Sequence, residues 1–254
     1  MSTVQVEIKD GLGTIRLAGP RGNAMSQALV SDLSTALRTV GGEPSVKAIL
    51  LASAHPKLFC PGLDLVALSE VTREDMGAFM LDFSALLTDL FALKKPVVAA
   101  VNGAAVAGGC LLALTADWRI AKRGTMLGLN EVKVGVPLPW SAVMLLRTAA
   151  PAYAHTAVAL LGRNFEGDAA VRAGLVNEVT DPEAFDATVA ERLAEFADKD
   201  AFAFGVTKGY LRGATVAAMR DRETGLLDEF LDGWFSEATQ ARIQKAVAAL
   251  KAKA

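Results

Sequence analysis

Cysteine and histidine are scarce in this 254-residue chain, which holds only Cys60, Cys110, His55 and His155 of those types. The two cysteines stand far apart and in no paired spacing, which excludes a disulfide framework and a zinc knuckle and points to a reducing compartment. Two isolated histidines and no Gly-x-Ser-x-Gly elbow exclude the usual hydrolase triad. His55, before Pro56, reads as a turn residue, and His155 as a surface or packing residue of a helical segment. With so few nitrogen and sulfur ligands, no metal site is expected. An excess of one charge is missing too: 26 Lys and Arg stand against 28 Asp and Glu, a net charge of −2. Without a basic stripe, nucleic acid is not an expected partner.

Targeting signals are equally sparse. Met1 to Glu7 shows neither a basic segment followed by an apolar core nor the Arg- and Ser-rich look of a transit peptide, and Lys251-Ala-Lys-Ala254 is not a peroxisomal tripeptide. A cytoplasmic location is the expectation. One stretch, Pro96 to Ala116, runs 21 residues without a charge, about the ~20 needed to cross a bilayer. Asn102-Gly103 and Gly108-Gly109 interrupt it, so it reads as a buried strand, a glycine turn and a buried helix, and no membrane is expected as a partner.

What is present is enough apolar sequence for a core: 52% of residues, with 22 glycines spread along the chain, which excludes overall disorder. Val4 to Ile8 and Thr14 to Ala18 alternate around Asp10-Gly11-Leu12-Gly13 and predict a hairpin. Ser26 is a candidate cap for a helix striped by Leu29, Val30, Leu33, Leu37 and Val40 and stopped at Gly41-Gly42. Val46 to Ala52 predicts a buried strand, followed by a loop from Ser53 to Asp64. Thr72 and Asp75 form a capping box for a long helix whose buried face is Met76, Phe79, Met80, Phe83, Leu86, Leu87 and Leu90. The order of helix, strand, glycine loop and helix recurs through Val97 to Val101 and Asp117 to Ala121, as in an α/β fold. Beyond Pro182 only helical stripes are visible. That tail carries Met219, Leu226, Leu227, Phe230, Leu231, Trp234 and Phe235, apolar surface that must pack on the body or build a subunit interface, the second being the expectation.

For chemistry, Gly103 to Gly108 has the glycine spacing of a phosphate loop, but Gly109-Cys110 stands where lysine and Ser or Thr are required. No Gly-x-Gly-x-x-Gly follows a first strand, so a nicotinamide dehydrogenase drops away. Two glycine turns remain, Leu58 to Leu65 and Ala107 to Cys110, whose free backbone N–H groups can bind an oxyanion. Glu131, between Leu127-Gly-Leu-Asn130 and Val132, would be a raised-pKa base if desolvated, and a surface ion pair with Lys133 if not. Two donors and one base would suit proton abstraction next to a carbonyl.

At these residues the chain resembles the enoyl-CoA hydratase/isomerase (crotonase) family over nearly its whole length. The matching blocks are Pro20-Arg-Gly-Asn-Ala-Met25, Phe59 to Leu65, Lys95 to Asp117, Leu129 to Gly135 and Gly174-Leu-Val-Asn-Glu-Val179. The resemblance implies a crotonase-like spiral of repeated ββα units, residues 1–195, with an all-helical region for trimerisation, residues 196–254. It implies that the N–H groups of Leu63 and Gly108 hold a thioester oxygen. Hydratases of the family carry two glutamates; here Leu111 stands at the first place and Glu131 at the second. One base suffices to move a double bond, whereas adding water needs two groups to hold and activate the water.

Pro61-Gly-Leu-Asp-Leu65, Ala107 to Thr115, Gly128-Leu-Asn-Glu131 and Pro139-Trp140 look like the mitochondrial-type Δ3,Δ2-enoyl-CoA isomerase branch. That likeness implies an acyl-CoA substrate, Glu131 as proton shuttle and Leu111 and Trp140 as acyl-pocket walls. Asn130 would contact substrate. Pro61, Gly62, Asp64 and Leu65 would lie near the adenine and Arg21 and Asn23 near the pantetheine, with Arg21, Lys57 and Arg123 as candidate cations for the CoA phosphates. It implies no resident cofactor, CoA belonging to the substrate, and a homotrimer or dimer of trimers. The rival readings are an enoyl-CoA hydratase or other crotonase-fold acyl-CoA lyase, and a catalytically weak acyl-CoA-binding member acting through its interface or on RNA.

Overall fold

Asp10 and Gly11 take left-handed φ values of 50° and 77°, and their two-residue turn closes a hairpin of β1 (Val4–Lys9) and β2 (Leu12–Leu17), with Val4 opposite Leu17. Positive φ at both central positions matches the twist of paired strands. The computed structural model describes residues 2–252. Strands then come in pairs: β3 (Ala48–Ser53) and β4 (Leu58–Cys60), β5 (Val97–Val101) and β6 (Ala104–Val106), β7 (Trp118–Lys122) and β8 (Met126–Gly128), and finally β9 (Asn164–Glu166) and β10 (Glu178–Thr180). The first member of each of the three leading pairs joins a six-stranded sheet of order β1-β2-β3-β5-β7-β10. The second joins a four-stranded sheet of order β4-β6-β8-β9. From β2 to β10 the large sheet is parallel.

After each pair the chain enters helix: Arg73–Ala92 after β4, Gly108–Leu114 after β6, Glu131–Val134 and Trp140–Ala149 after β8. The chain is therefore the expected crotonase-like spiral of ββα units. Several short strands were not expected, β9 and β10 among them. Segment 53–64, read as a loop, contains β4, and the glycine turn after β5 contains β6; at three residues neither is long enough to show alternation.

The caps behave as read. Ser26 accepts the N–H of Leu29 at 3.3 Å at the start of helix Gln27–Gly42. Thr72 accepts the N–H of Asp75 at 3.1 Å, while its hydroxyl donates to the Asp75 carboxylate at 2.7 Å. The reciprocal arm of this box thus reaches the Thr72 hydroxyl.

The centre of the large sheet, at β3 and β5, is buried on both faces, which is why β5 is apolar at every position, whereas the edge strand β1 is mostly exposed. Ile49, Leu51, Val97, Ala99 and Val101 face the main core. Ala48, Ala52, Val98, Ala100 and Ile120 face the other way, onto Phe185, Val189 and Leu193 of helix Phe185–Ala197. Among the described residues no helix is long and apolar enough to cross a membrane.

The separate stripes of the C-terminal part are one 35-residue helix, Ala201–Phe235, followed by Glu237–Lys251. A division at 195/196 falls in the last turn of helix Phe185–Ala197. Met219, Phe230, Leu231, Trp234, Ile243 and Val247 belong to the main core, so this apolar face packs on its own chain. Phe202, Tyr210 and Leu211, 79%, 84% and 76% exposed, are what it leaves uncovered.

Helix Ala201–Phe235 is fastened by charge near its start. Asp117 accepts from the N–H of Val97 at 2.8 Å and from Lys208 Nζ at 2.6 Å, and pairs with Arg212 at 2.8 Å. Lys208 also donates to the Lys95 carbonyl at 3.0 Å, and Arg212 to those of Phe91 and Thr115 at 2.9 and 3.1 Å. Burial lowers the Lys208 ammonium to about 8, against the opposing pull of Asp117. Among the described residues Asp117 is the one carboxylate paired with buried Lys208 and largely buried Arg212, and removing it leaves both uncompensated, a cost of about 3–5 kcal/mol. Asp117→Ala is therefore expected to lower the unfolding free energy by that order in urea denaturation, and a loss below ~1 kcal/mol would show that the helix docks without the charge cluster.

Candidate active site

Beyond β4 the chain makes a turn that only glycine fits, with φ of 96° at Gly62. The segment Pro20–Met25 is bound beside it: Met25 N–H donates to the Gly62 carbonyl at 2.8 Å and Asp64 N–H to the Met25 carbonyl at 3.0 Å. Asp64 caps helix Leu65–Leu68, accepting from the N–H of Ala67 at 3.1 Å, and takes Arg21 Nε at 3.0 Å. Asn23 is fully buried. Its Oδ1 accepts the N–H of Gly19 at 2.8 Å, and its Nδ2 donates to Ser53 Oγ at 2.8 Å and the Phe59 carbonyl at 3.0 Å. The Asn23 and Asp64 side chains, read as lying near the CoA, spend these polar atoms on holding the turn, since a buried polar group is paired where it stands.

The second turn lies against the first. Ala107 takes φ 50°, ψ −129°, a conformation rare for a side-chain-bearing residue, and the next residue, Gly108, opens helix Gly108–Leu114. A Cβ on Gly62 would stand 2.7 Å from Ala107 Cβ and 3.3 Å from Gly108 N. A Cβ on Gly109 would lie 2.0 Å from the Cys60 carbonyl oxygen, so the helix start rests directly on the backbone of β4. As first residue of its helix, Gly108 has no intrahelical acceptor for its N–H. Among the described residues neither the Leu63 nor the Gly108 N–H donates to a backbone acceptor outside regular structure.

Glu131 follows β8 and begins the single-turn helix Glu131–Val134, closed by Gly135 at φ 87°. Its Oε2 is out of contact with solvent and has no hydrogen-bond partner. Burial pushes the carboxyl up to about 7, opposed by its own backbone N–H. The surface ion pair with Lys133 is not formed: among the described residues no ion pair involves Lys133.

A cavity of about 200 Å³ brings Glu131 together with Pro61, Leu63, Leu65, Gly108, Leu111 and Asn130, all singled out from the sequence. Glu131 is the one ionisable side chain lining it among the described residues. Met80, Phe83, Val136, Phe230 and Trp234 complete the wall. Met80 and Phe83 were legible only as a buried helix stripe, which a pocket wall and a core share, and nothing local marks Phe230 or Trp234. Trp140, read as an acyl-pocket wall, lines an adjoining cavity that shares Met80, Pro137, Pro139 and Phe230 with this one. Its Nε1 donates to the Ala218 carbonyl at 2.8 Å, with Arg222 4.6 Å above its ring, so it faces helix Ala201–Phe235 while Pro139 lines the cavity. Of the candidate cations, Arg21 is engaged by Asp64, Arg123 pairs with Asp181 at 2.5 Å, and Lys57 is exposed. Burial raises the thiols of Cys60 and Cys110 to about 12, so neither is a nucleophile at neutral pH.

A desolvated carboxylate sharing an apolar cavity with two unspent backbone N–H groups is suited to moving a proton beside a carbonyl whose oxygen gains charge. The chain belongs to the enoyl-CoA hydratase/isomerase family, whose model matches residues 7–241. It is similar to the human mitochondrial enoyl-CoA delta isomerase 1, with 26% identity over 98% of this chain and 83% of that protein. It is 30% identical to the (E)-benzylidenesuccinyl-CoA hydratase of Thauera aromatica over 76% of this chain and 75% of that one. The crystal structure of human mitochondrial delta3-delta2-enoyl-CoA isomerase superposes with a TM-score of 0.93 at 26% identity, covering 99% of each chain.

The raised Glu131 carboxyl has a consequence for stability. Its folded pKa of about 7 lies above the ordinary 4.5, so its contribution is complete below about pH 4.5 and is lost as pH rises through 7, by at most about 3 kcal/mol. Glu131→Gln escapes that loss. The variant is expected to melt several degrees above the native protein at pH 8, an advantage that shrinks toward pH 4; no pH-dependent difference in calorimetry would mean that the carboxyl is not desolvated.

Proposed function

We propose that the protein is a Δ3,Δ2-enoyl-CoA isomerase of fatty-acid β-oxidation, moving the double bond of a 3-enoyl-CoA to the 2-trans position. The observation that carries this reading is the single acid of the cavity: Glu131 is there, and Leu111, 1% exposed, stands where the family's hydratases are expected to hold their other glutamate. The Glu131 carboxylate takes a proton from C2. The C2–H electron pair moves into the C1 carbonyl, giving a dienolate whose oxygen is held by the N–H groups of Leu63 and Gly108. The same carboxyl then delivers its proton to C4, the carbonyl re-forms and the double bond lies between C2 and C3. No proton is gained or lost overall, and no resident cofactor enters, CoA arriving with the substrate. A carboxyl near 7 suits both strokes, since it takes and returns the proton at similar cost.

Pro61, Gly62 and Leu65 are proposed to border the CoA, the exposed half of Arg21 to face its phosphates, and Asn130 to contact the acyl thioester. A homotrimer or dimer of trimers is proposed as the assembly, supported by the uncovered Phe202, Tyr210 and Leu211. A cytoplasmic location is the proposal that goes with it.

The test supplies a 3-enoyl-CoA and, separately, a 2-enoyl-CoA, following the conjugated thioester as it appears or disappears. Rapid appearance with little loss is the expected result; rapid loss would make the protein a hydratase. Glu131→Gln is expected to lower kcat/KM at least ~100-fold, the low end for a general base, and full retained activity would end the one-base mechanism. In the native enzyme kcat/KM should fall about tenfold per pH unit below 7 and level off above it, because only the ionised base starts the reaction.

A further inference from the structure

The Glu131 carboxyl is not tied down from its far end: among the described residues no ion pair reaches it, and its buried Oε2 has no hydrogen-bond partner. It stands where its backbone puts it. That backbone is the four-residue helix Glu131–Val134, far below the ~12–15 residues at which even a good isolated helix becomes stable. Contacts from outside must hold it.

Those contacts come from the C-terminal helices. Within the turn, the N–H of Val136 donates to the Glu131 carbonyl at 3.1 Å and that of Gly135 to the Val132 carbonyl at 3.3 Å, which leaves the Gly135 carbonyl to be satisfied from elsewhere. Thr239 Oγ1 donates to it at 3.0 Å. Among the described residues this is the one side-chain hydrogen bond made to the backbone of residues 130–138. Thr239 is 2% exposed, and its own N–H is bound by the Ser236 cap at 3.3 Å, so the donor is fixed in place. A Cβ on Gly135 would stand 2.7 Å from both Thr239 Oγ1 and Arg242 Nη1, and one on Gly233 2.6 Å from Pro137 Cδ; the fit is close on both sides. Helix Glu237–Lys251 also packs against helix Leu65–Leu68, which continues from the Leu63 turn. One helix thus rests on the segment of the base and on that of the first N–H donor.

Resting on the isomerase reading above for its effect on turnover, we infer that Thr239 is a positioning residue for Glu131: its hydroxyl, through the Gly135 carbonyl, fixes the turn that carries the base. Proton transfer requires hydrogen-bond reach, and a misplacement of ~1 Å caused by a distant change can cost about 100-fold in rate. A turn released toward solvent would also hydrate the carboxyl and move its midpoint down from about 7. Other ionisable groups near the turn are Cys110, whose thiol is raised by burial and then by the Glu131 charge, Lys133 on the turn itself, and Arg242 beside Gly135. None pairs with Glu131 among the described residues.

Thr239→Val keeps the shape and removes the donor, Thr239→Ala is a second hydroxyl-free variant, and Thr239→Ser keeps the donor. Each is assayed with a 3-enoyl-CoA for kcat and KM, and the Glu131 carboxyl is titrated directly by infrared difference spectra against Glu131→Gln. In the hydroxyl-free variants that fold, kcat is expected to fall at least about tenfold with KM within about twofold. Their carboxyl midpoint should drop by at least about half a pH unit, and Thr239→Ser should restore both. A kcat and midpoint unmoved in every folded hydroxyl-free variant, a loss carried by KM alone, or a loss that Thr239→Ser shares in full overturns the inference. A protein without turnover whose carboxyl midpoint moves in Thr239→Val and returns in Thr239→Ser would sink the isomerase reading and leave this one standing.

Discussion

The site depends on one approach of backbone to backbone. Helix Gly108–Leu114 lies so close to β4 that no side chain fits between Gly109 and the Cys60 carbonyl. That contact brings the Gly62 turn against Ala107, and Leu63 and Gly108 come to line one cavity. The unusual dihedrals of Ala107 are the local cost, of order 1–3 kcal/mol for such a conformation. Asn23, Asp64 and Arg21 spend their polar atoms on the support of the first turn.

Desolvation does the rest. Among the described residues no ion pair reaches the Glu131 carboxyl and its buried Oε2 has no hydrogen-bond partner, and apart from Asn130 its neighbours in the cavity are apolar. The walls that bury the carboxyl raise its basicity. A second carboxylate at Leu111 would enter the same low-dielectric space, where two acids cannot both ionise cheaply. One base in an apolar cavity is thus a coherent arrangement in its own right.

The C-terminal helix joins these features to the sheet. At one end Lys208 and Arg212 meet Asp117 beside β5 and β7; about 30 Å further along, at 1.5 Å per residue, Phe230 and Trp234 line the cavity. Residues of the sheet-bearing body and of the helical region thus wall one cavity.

Much of this was legible along the chain. The hairpin, the capped helices and the buried strand at Val97 follow from turn chemistry, capping and periodicity, which act within a few residues. The two glycine turns and Glu131 were legible as candidates for the same reason. The short strands β4 and β6 were not, since three residues carry no period. The partners of Asn23 and Trp140 were not legible, because a residue type names the bonds a side chain can make and not the group that takes them: Asn23 bonds Gly19, Ser53 and Phe59, and Trp140 bonds Ala218. The sequence by itself determined the elements, their order and the chemistry on offer. Only the tertiary structure decided whether Glu131 is an ion pair or a buried carboxyl, and which distant residues line its cavity. Burial and cavity shape arise from segments 100 residues apart meeting in space, and no local pattern encodes their meeting.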